Sequence, residues 1–383
     1  MRYIPYGRQS IGQDDLREVT KVLKSDWITQ GPKIKEFEEG LCRYTQAKYA
    51  TAVSSGTAAL HIAALAAGIK QGDEVITSPI TFVASANAAL YCGARPVFAD
   101  IEKATGNIDT EKISRKITKK TKAIIPVHFA GHPCDLEKIK AIAKKNNLII
   151  IEDACHALGA EYKGIKIGSC RHSDMAVLSF HPVKAITTGE GGAVLTNSKD
   201  YYKKLIMFRN HGLTKENLED TSQGDWYYEM QYLGYNYRIT DIQTCLGISQ
   251  LKKLDSFIRK RRKIAAFYDR AFKGNGYFDI PAEKEYAFSA YHLYPIILKK
   301  VYACKRKEFF SKMRARGFGV QVHYIPVYLQ PYYKRLGYAA GLCPLAESFY
   351  NRQISIPLYP SMSGKDIKYV VNTLLGLCKS VFK

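Results

Sequence analysis

Ser179-Phe180-His181-Pro182-Val183-Lys184-Ala185-Ile186-Thr187-Thr188-Gly189-Glu190-Gly191-Gly192-Ala193-Val194 sets one lysine in a turn between two apolar runs. Residues 175–180 read as a buried strand, and the glycines lead back into a second one. Burying an unpaired ammonium at such a place is costly. A lone lysine in a turn is ordinarily a surface residue, so the meaning of Lys184 depends on what the rest of the chain brings to it.

Upstream, short apolar runs at 50–53, 74–77, 96–99, 123–127 and 148–152 alternate with helical stretches. That alternation predicts an α/β fold with a parallel sheet covered by helices on both faces. Before it come an extended arm (1–13), an amphipathic helix (14–24), a turn-rich loop and a helix over 34–45. After the lysine, the sequence predicts a helix over 200–209, a loop rich in tyrosine and tryptophan, and a helical segment over 241–273 with its charges facing solvent. The break at Lys273-Gly274-Asn275-Gly276 then opens a small α+β region. It holds a strand over 290–298, a helix over 305–316, a strand over 319–324, segments 346–352 and 354–358, and a last helix from Gly364. The expected organisation is an arm (1–13), a large domain (14–255) and a small C-terminal domain (256–383).

At 383 residues and 46% hydrophobic content the chain can bury a sizeable core. It has no apolar run near the roughly 18 residues of a membrane span, and 1–6 lack the apolar stretch of a secretory signal. Nine scattered cysteines with no CxxC pair suit reduced thiols, hence a cytoplasmic protein. The net charge of +22 is spread through helices, without a basic tail or a zinc or RNA-binding signature. Nucleic acid, membrane and metal are therefore not expected partners; the basic surface reads as an ordinary solvated one, or else as one that attracts a phosphorylated substrate.

Three further stretches carry chemistry. Ser54-Ser55-Gly56-Thr57 precedes a helix over 58–67, where free N–H groups and hydroxyls make an anion site or a plain N-cap. Phe82, in Thr81-Phe82-Val83-Ala84-Ser85, can stack on a flat ring or fill the core. Ile151-Glu152-Asp153-Ala154-Cys155-His156 ends a strand with an acid, where open α/β sheets bind ligands. Asp153 is placed to pair with a cationic ring nitrogen, while His156 reads equally as a site residue or a satisfied core histidine. Ser179 lies five residues before Lys184 and can add a hydroxyl to the anion site. An anion cup, an aromatic, a carboxylate and a lysine in this order meet the needs of pyridoxal 5'-phosphate, and the burial cost of Lys184 disappears when it is held as an imine. A nicotinamide enzyme would want G-x-G-x-x-G after its first strand, which Ser-Ser-Gly-Thr-Ala-Ala does not supply.

Ser54 to Leu60, Thr81 to Ser85, Glu152 to Ala157, Ser179 to Lys184 with Thr187 to Val194, Gly234 to Thr240, and His323-Tyr324-Ile325-Pro326 together resemble the DegT/DnrJ/EryC/StrS family of nucleotide-sugar aminotransferases. The likeness spans nearly the whole chain and is nearest to the pseudaminic acid branch, through Tyr6, Trp27-Ile28-Thr29-Gln30-Gly31 and Gln321-Val322-His323-Tyr324. The resemblance implies a fold-type I enzyme using pyridoxal 5'-phosphate, L-glutamate and a UDP-linked 4-keto-6-deoxy-N-acetylhexosamine. It implies Lys184, Asp153 and His156 as catalytic residues. Ser55, Gly56, Thr57, Ala58, Phe82, Ser179 and Asn236 would join them around the cofactor, with Asn236 reaching the phosphate of a partner subunit in a homodimer. Tyr6, Asp26, Trp27, Ile28, Thr29, Ser55, His323, Tyr324, Ile325 and Pro326 would touch the nucleotide sugar. Some relatives replace the lysine by histidine and act as dehydratases; this chain keeps Lys184, which favours transamination. Another nucleotide-linked 4-keto or 3-keto sugar, or a cofactor-binding regulator without turnover, are the other readings.

Overall fold

The computed structural model describes residues 3–382. Its centre is a seven-stranded sheet in the order Tyr49–Val53, Gly192–Thr196, Met175–Ser179, Ile149–Asp153, Thr121–Ile125, Glu74–Thr77, Arg95–Phe98. Five neighbouring strands run parallel, from Met175–Ser179 to Arg95–Phe98. Gly192–Thr196 runs against both of its neighbours, because the lysine turn brings the chain straight back beside the strand it left.

Alternate side chains of these strands enter two cores. Ala176, Leu178, Phe180, Ala193 and Leu195 meet Phe37 and Leu41 of the helix Pro32–Thr45. Met175, Val177 and Val194 meet the alanine-rich helix Gly56–Ala66 and Leu205 and Phe208 of the helix Lys199–Arg209. The sheet is thus covered on both faces, as its continuous apolar strands require.

A second sheet of three antiparallel strands, Phe278–Asp279, Tyr294–Leu298 and Gln353–Ile356, serves the C-terminal part. Its core gathers Phe309 and Met313 from Arg306–Ala315 and Val370 and Leu374 from Gly364–Val381. The helix Leu254–Phe272 is common to both parts: Leu254, Phe257 and Ile258 belong to the first core, and Ile264, Tyr268 and Phe272 to the second. Ile4 of the N-terminal arm is buried in the second core, and Ile4–Pro5 pairs in parallel with Phe318–Gly319.

Four expectations need correction. The expected strand over 319–324 leaves its ladder after Gly319, and only the single bridge Gln321↔Ser355 follows. The strand expected from 290 begins at Tyr294, because the N–H groups of Ala290 and Leu293 bond the carbonyls of Gly131 and Ala130 instead. The helix over 241–273 is two, Asp241–Leu251 and Leu254–Phe272. Its charges do not all face solvent. Asp241 is buried and accepts the N–H groups of Gly31 and Lys33 at 2.8 and 2.9 Å. Arg261 is 1% exposed and donates to the carbonyls of Tyr291, His292 and Leu358. Among the described residues no helix is long and apolar enough to cross a membrane.

Candidate active site

Strands that run in parallel deliver their carboxyl ends to one edge, and this edge is where the chemistry collects. A cavity of about 710 Å³ there is lined by Ser55, Gly56, Thr57, Phe82, Asp153, His156, Ser179 and Lys184, with Tyr6, His323 and Tyr324 as its far wall.

The helix Gly56–Ala66 opens on it. Ser55 caps that helix by accepting the N–H of Ala58 at 3.0 Å, so the helix starts two residues earlier than the sequence suggested. Ala58 is buried behind the cap. Two glycines allow the helix start to approach the strands closely. A Cβ on Gly56 would sit 2.9 Å from the Ser179 Cβ, and one on Gly192 would sit 2.4 Å from the Ser55 carbonyl oxygen. Ser179 and the N-terminal turn of the helix therefore share one concavity, with dipole and free N–H groups suited to an anion.

Asp153 ends its strand and is buried. Ser85 Oγ donates to Oδ2 at 2.5 Å and the Cys155 N–H to Oδ1 at 3.2 Å. Thr81 Oγ1 lies 2.7 Å from Ser85 Oγ and, with that hydroxyl committed to the carboxylate, donates to it. Lys184 follows on the turn; its ammonium makes no hydrogen bond or ion pair among the described residues. Burial pushes its pKa below the ordinary lysine range, with Cys155 and Asp153 opposing the shift. The lowered value enlarges the neutral amine fraction at a given pH, which a nucleophile or proton carrier needs. Although the side chain retains some exposure, it faces the cavity. The Cys155 thiol is pushed well up by burial, so it stays protonated.

His156 settles between its two readings as a cavity residue with a structural neighbourhood. Its ring lies 4.3 Å from that of His292, and its Nε2 is 3.2 Å from the Tyr324 hydroxyl. Burial holds both histidines well below the usual range, which keeps them neutral. Phe82 is 58% exposed over the cavity, not in the core.

Asp26, Trp27, Ile28, Thr29, Asn236, Ile325 and Pro326 do not line this cavity. Thr29 bridges Thr240, and the Asp241 N–H bonds the Ile28 carbonyl, so the 26–29 loop and the Asn236 loop lie together; the Tyr237 carbonyl accepts the N–H of Ser54, which puts them beside the cavity without lining it. Tyr235 stacks on Tyr237 at 5.0 Å and packs against His61 at 4.7 Å. Reasoning from sequence missed Ser85, Cys155, His181, Glu190 and Gln321. The Thr81/Ser85 pair at helical spacing was the available signal for the first.

The donors fit pyridoxal phosphate: an anion cradle, a carboxylate and a lysine meet on one cavity. A sequence model of the DegT/DnrJ/EryC1/StrS aminotransferase family matches residues 9–375. The chain belongs to that family. It is 44% identical over 385 residues to the UDP-4-amino-4,6-dideoxy-N-acetyl-beta-L-altrosamine transaminase of Campylobacter jejuni serotype O:23/36, covering 99% of each. Helicobacter pylori PseC, an aminotransferase involved in the biosynthesis of pseudoaminic acid, superposes with a TM-score of 0.93 at 35% identity, covering 99% of this chain and 100% of that one. Spr1654 of Streptococcus pneumoniae in its PLP-form gives 0.93 at 31% identity over 100% of each chain. The fold is accordingly that of a pyridoxal phosphate-dependent aminotransferase, and pyridoxal 5'-phosphate is its cofactor.

Proposed function

We propose that this protein transfers the amino group of L-glutamate to C4 of UDP-2-acetamido-2,6-dideoxy-β-L-arabino-hex-4-ulose, as a cytoplasmic homodimer with shared active sites. The observation that carries the reading is the convergence of Lys184, Asp153 and the Ser55-capped helix on one cavity, walled by Tyr6, His323 and Tyr324. Relatives named for this chemistry support it over nearly the full chain.

Bound pyridoxal phosphate supplies the carbonyl that carries the amino group and a ring that takes up negative charge. Ser55, Thr57, Ser179 and the first N–H groups of the capped helix hold the phosphate. Asp153 keeps a proton on the ring nitrogen, and the Ser85 and Cys155 donors fix the direction in which its carboxylate points. Lys184 Nζ takes and returns the proton that moves in each half of the exchange, a role open to it because burial favours the neutral amine. His156 and Phe82 line the cavity and would exclude water from the bound cofactor.

The test is turnover with L-glutamate and a panel of UDP-4-keto sugars, the product identified by NMR. An axial or equatorial 4-amino sugar from the stated substrate is expected. Bleaching by glutamate with no return by any nucleotide-linked keto sugar would sink the assignment.

A further inference from the structure

Behind the far wall of the cavity, three buried polar side chains are wired in one direction. His323 lines the cavity, while Gln353 and Ser355 are fully buried on the strand Gln353–Ile356. The backbone N–H of His323 donates to Gln353 Oε1 at 2.9 Å. Only an oxygen can take that proton, so the amide orientation of Gln353 is decided and its Nε2 faces Ser355. There it donates to Ser355 Oγ at 2.7 Å. Ser355 Oγ also lies 2.9 Å from His323 Nδ1. A hydroxyl can accept twice but has one proton to give, and among the described residues His323 Nδ1 is the one acceptor within reach of it, so Ser355 donates to Nδ1.

The chain of donors leaves one state for the imidazole. Nδ1 is the acceptor, and the ring proton sits on Nε2, which has no partner among the described residues. The ring is also neutral: burial, with the Lys184 charge nearby, pushes its pKa down to about 3. Tyr6, at a ring distance of 5.2 Å, and Tyr324, at 4.9 Å, pack against the ring.

We propose that His323 is a tautomer-locked neutral hydrogen-bond donor. Its Nε2–H is offered to an uncharged oxygen of the sugar, and Gln353 and Ser355 are positioning residues that set its polarity. An acid–base role for His323 is thereby excluded, since a ring that neither charges nor changes tautomer hands over no proton. This rests on the nucleotide-sugar reading above and adds the chemistry of one contact. It places His323 in the acceptor half-reaction, where a neutral donor is matched to an uncharged sugar oxygen.

The test uses holoenzyme labelled with [15N]histidine, the His323 signals being identified by their loss in His323→Phe. Long-range proton–nitrogen spectra should show the Nε2–H tautomer, unchanged between about pH 5 and 9, a range well above any protonation of this ring. An Nδ1–H tautomer, or titration within that range, would overturn the proposal. In Ser355→Ala the nitrogen signals should move toward a mixed tautomer. The same variant should need roughly three- to tenfold more keto sugar for half-maximal rate, the scale of one neutral hydrogen bond, with the glutamate half-reaction unchanged. Equal effects on both half-reactions, or on neither, would also overturn it. The spectra of the unaltered enzyme stand even if Ser355→Ala fails to fold. A wild-type enzyme that transaminates no nucleotide sugar refutes the underlying function instead, which the tautomer measurement does not depend on.

Discussion

Asp153 has a donor on each carboxylate oxygen, and the Ser85 hydroxyl is the closer of the two at 2.5 Å. A carboxylate so held keeps its place on the cavity, as the proposed pairing with a cationic ring nitrogen requires. Asp153→Asn keeps the shape and removes the charge. We expect it to retain cofactor weakly and to lose several kcal/mol of transition-state stabilisation, read as kcat/KM. A near-normal rate would make Asp153 a purely structural residue. Lys184 is tested by borohydride reduction of the holoenzyme and peptide mapping, which should place the pyridoxyl group on that residue. Lys184→Ala should still bind the amine form of the cofactor and give no turnover. A label on any other lysine ends the assignment. Ser85→Ala leaves Oδ2 without its donor and should lower kcat by roughly tenfold or more, on the scale of a hydrogen bond to a charged group. Its thermal midpoint should change little.

At the scale of elements, the lysine turn works because two strands return side by side and a helix N-terminus is pressed against them. Gly192 is the contact point: an added Cβ would lie 2.4 Å from the Ser55 carbonyl oxygen and 2.6 Å from the Gly56 nitrogen. Backbone cannot give way there as a flexible side chain could. Gly192→Ala should cost about 1–3 kcal/mol of stability, measured by urea denaturation, together with weaker pyridoxal phosphate binding. These elements were legible in sequence because period and apolar runs mark parallel strands, and because Ser55, Asp153 and Lys184 stand at strand ends. What stayed hidden depends on partners far along the chain. Arg261 looks like any helix charge among Arg259, Lys260, Arg262 and Lys263, yet it is enclosed where the two cores meet. Nothing local announces the three carbonyls it bonds. The strand expected over 319–324 fails for a like reason: its residues pattern as a strand, but beyond Gln321 they turn to wall the cavity. Phe82 was ambiguous because a phenylalanine beside a ligand and one in a core have the same local sequence.

The whole molecule leaves one surface unexplained by its own packing. Trp226, Tyr228, Met230 and Leu233 are exposed on or beside the short hairpin of Leu213–Thr214 with Glu229–Met230, and Trp27 and Ile28 are exposed on the loop joined to Thr240 and Asp241. We expect such a set of large apolar side chains to meet protein rather than water. Asn236 is exposed on the loop between these two sets, anchored by its bridge to Asn210. It lines no part of its own cavity, which is what a residue serving the partner's phosphate would look like in one subunit. A two-fold dimer makes this testable, because each site would then combine Lys184 of one chain with Asn236 of the other. An Asn236→Ala chain and a Lys184→Ala chain, each first shown inactive alone, should recover activity on mixing. Each heterodimer has one site with both residues intact and one with both replaced. Random exchange of equal amounts should therefore return roughly a quarter of the wild-type rate, since half the dimers are mixed and half their sites are whole. Tagged heterodimers isolated from the mixture should show half the wild-type rate per dimer. If verified heterodimers stay inactive, Asn236 does not act across the subunit boundary, and the loop's exposed aromatics serve assembly alone.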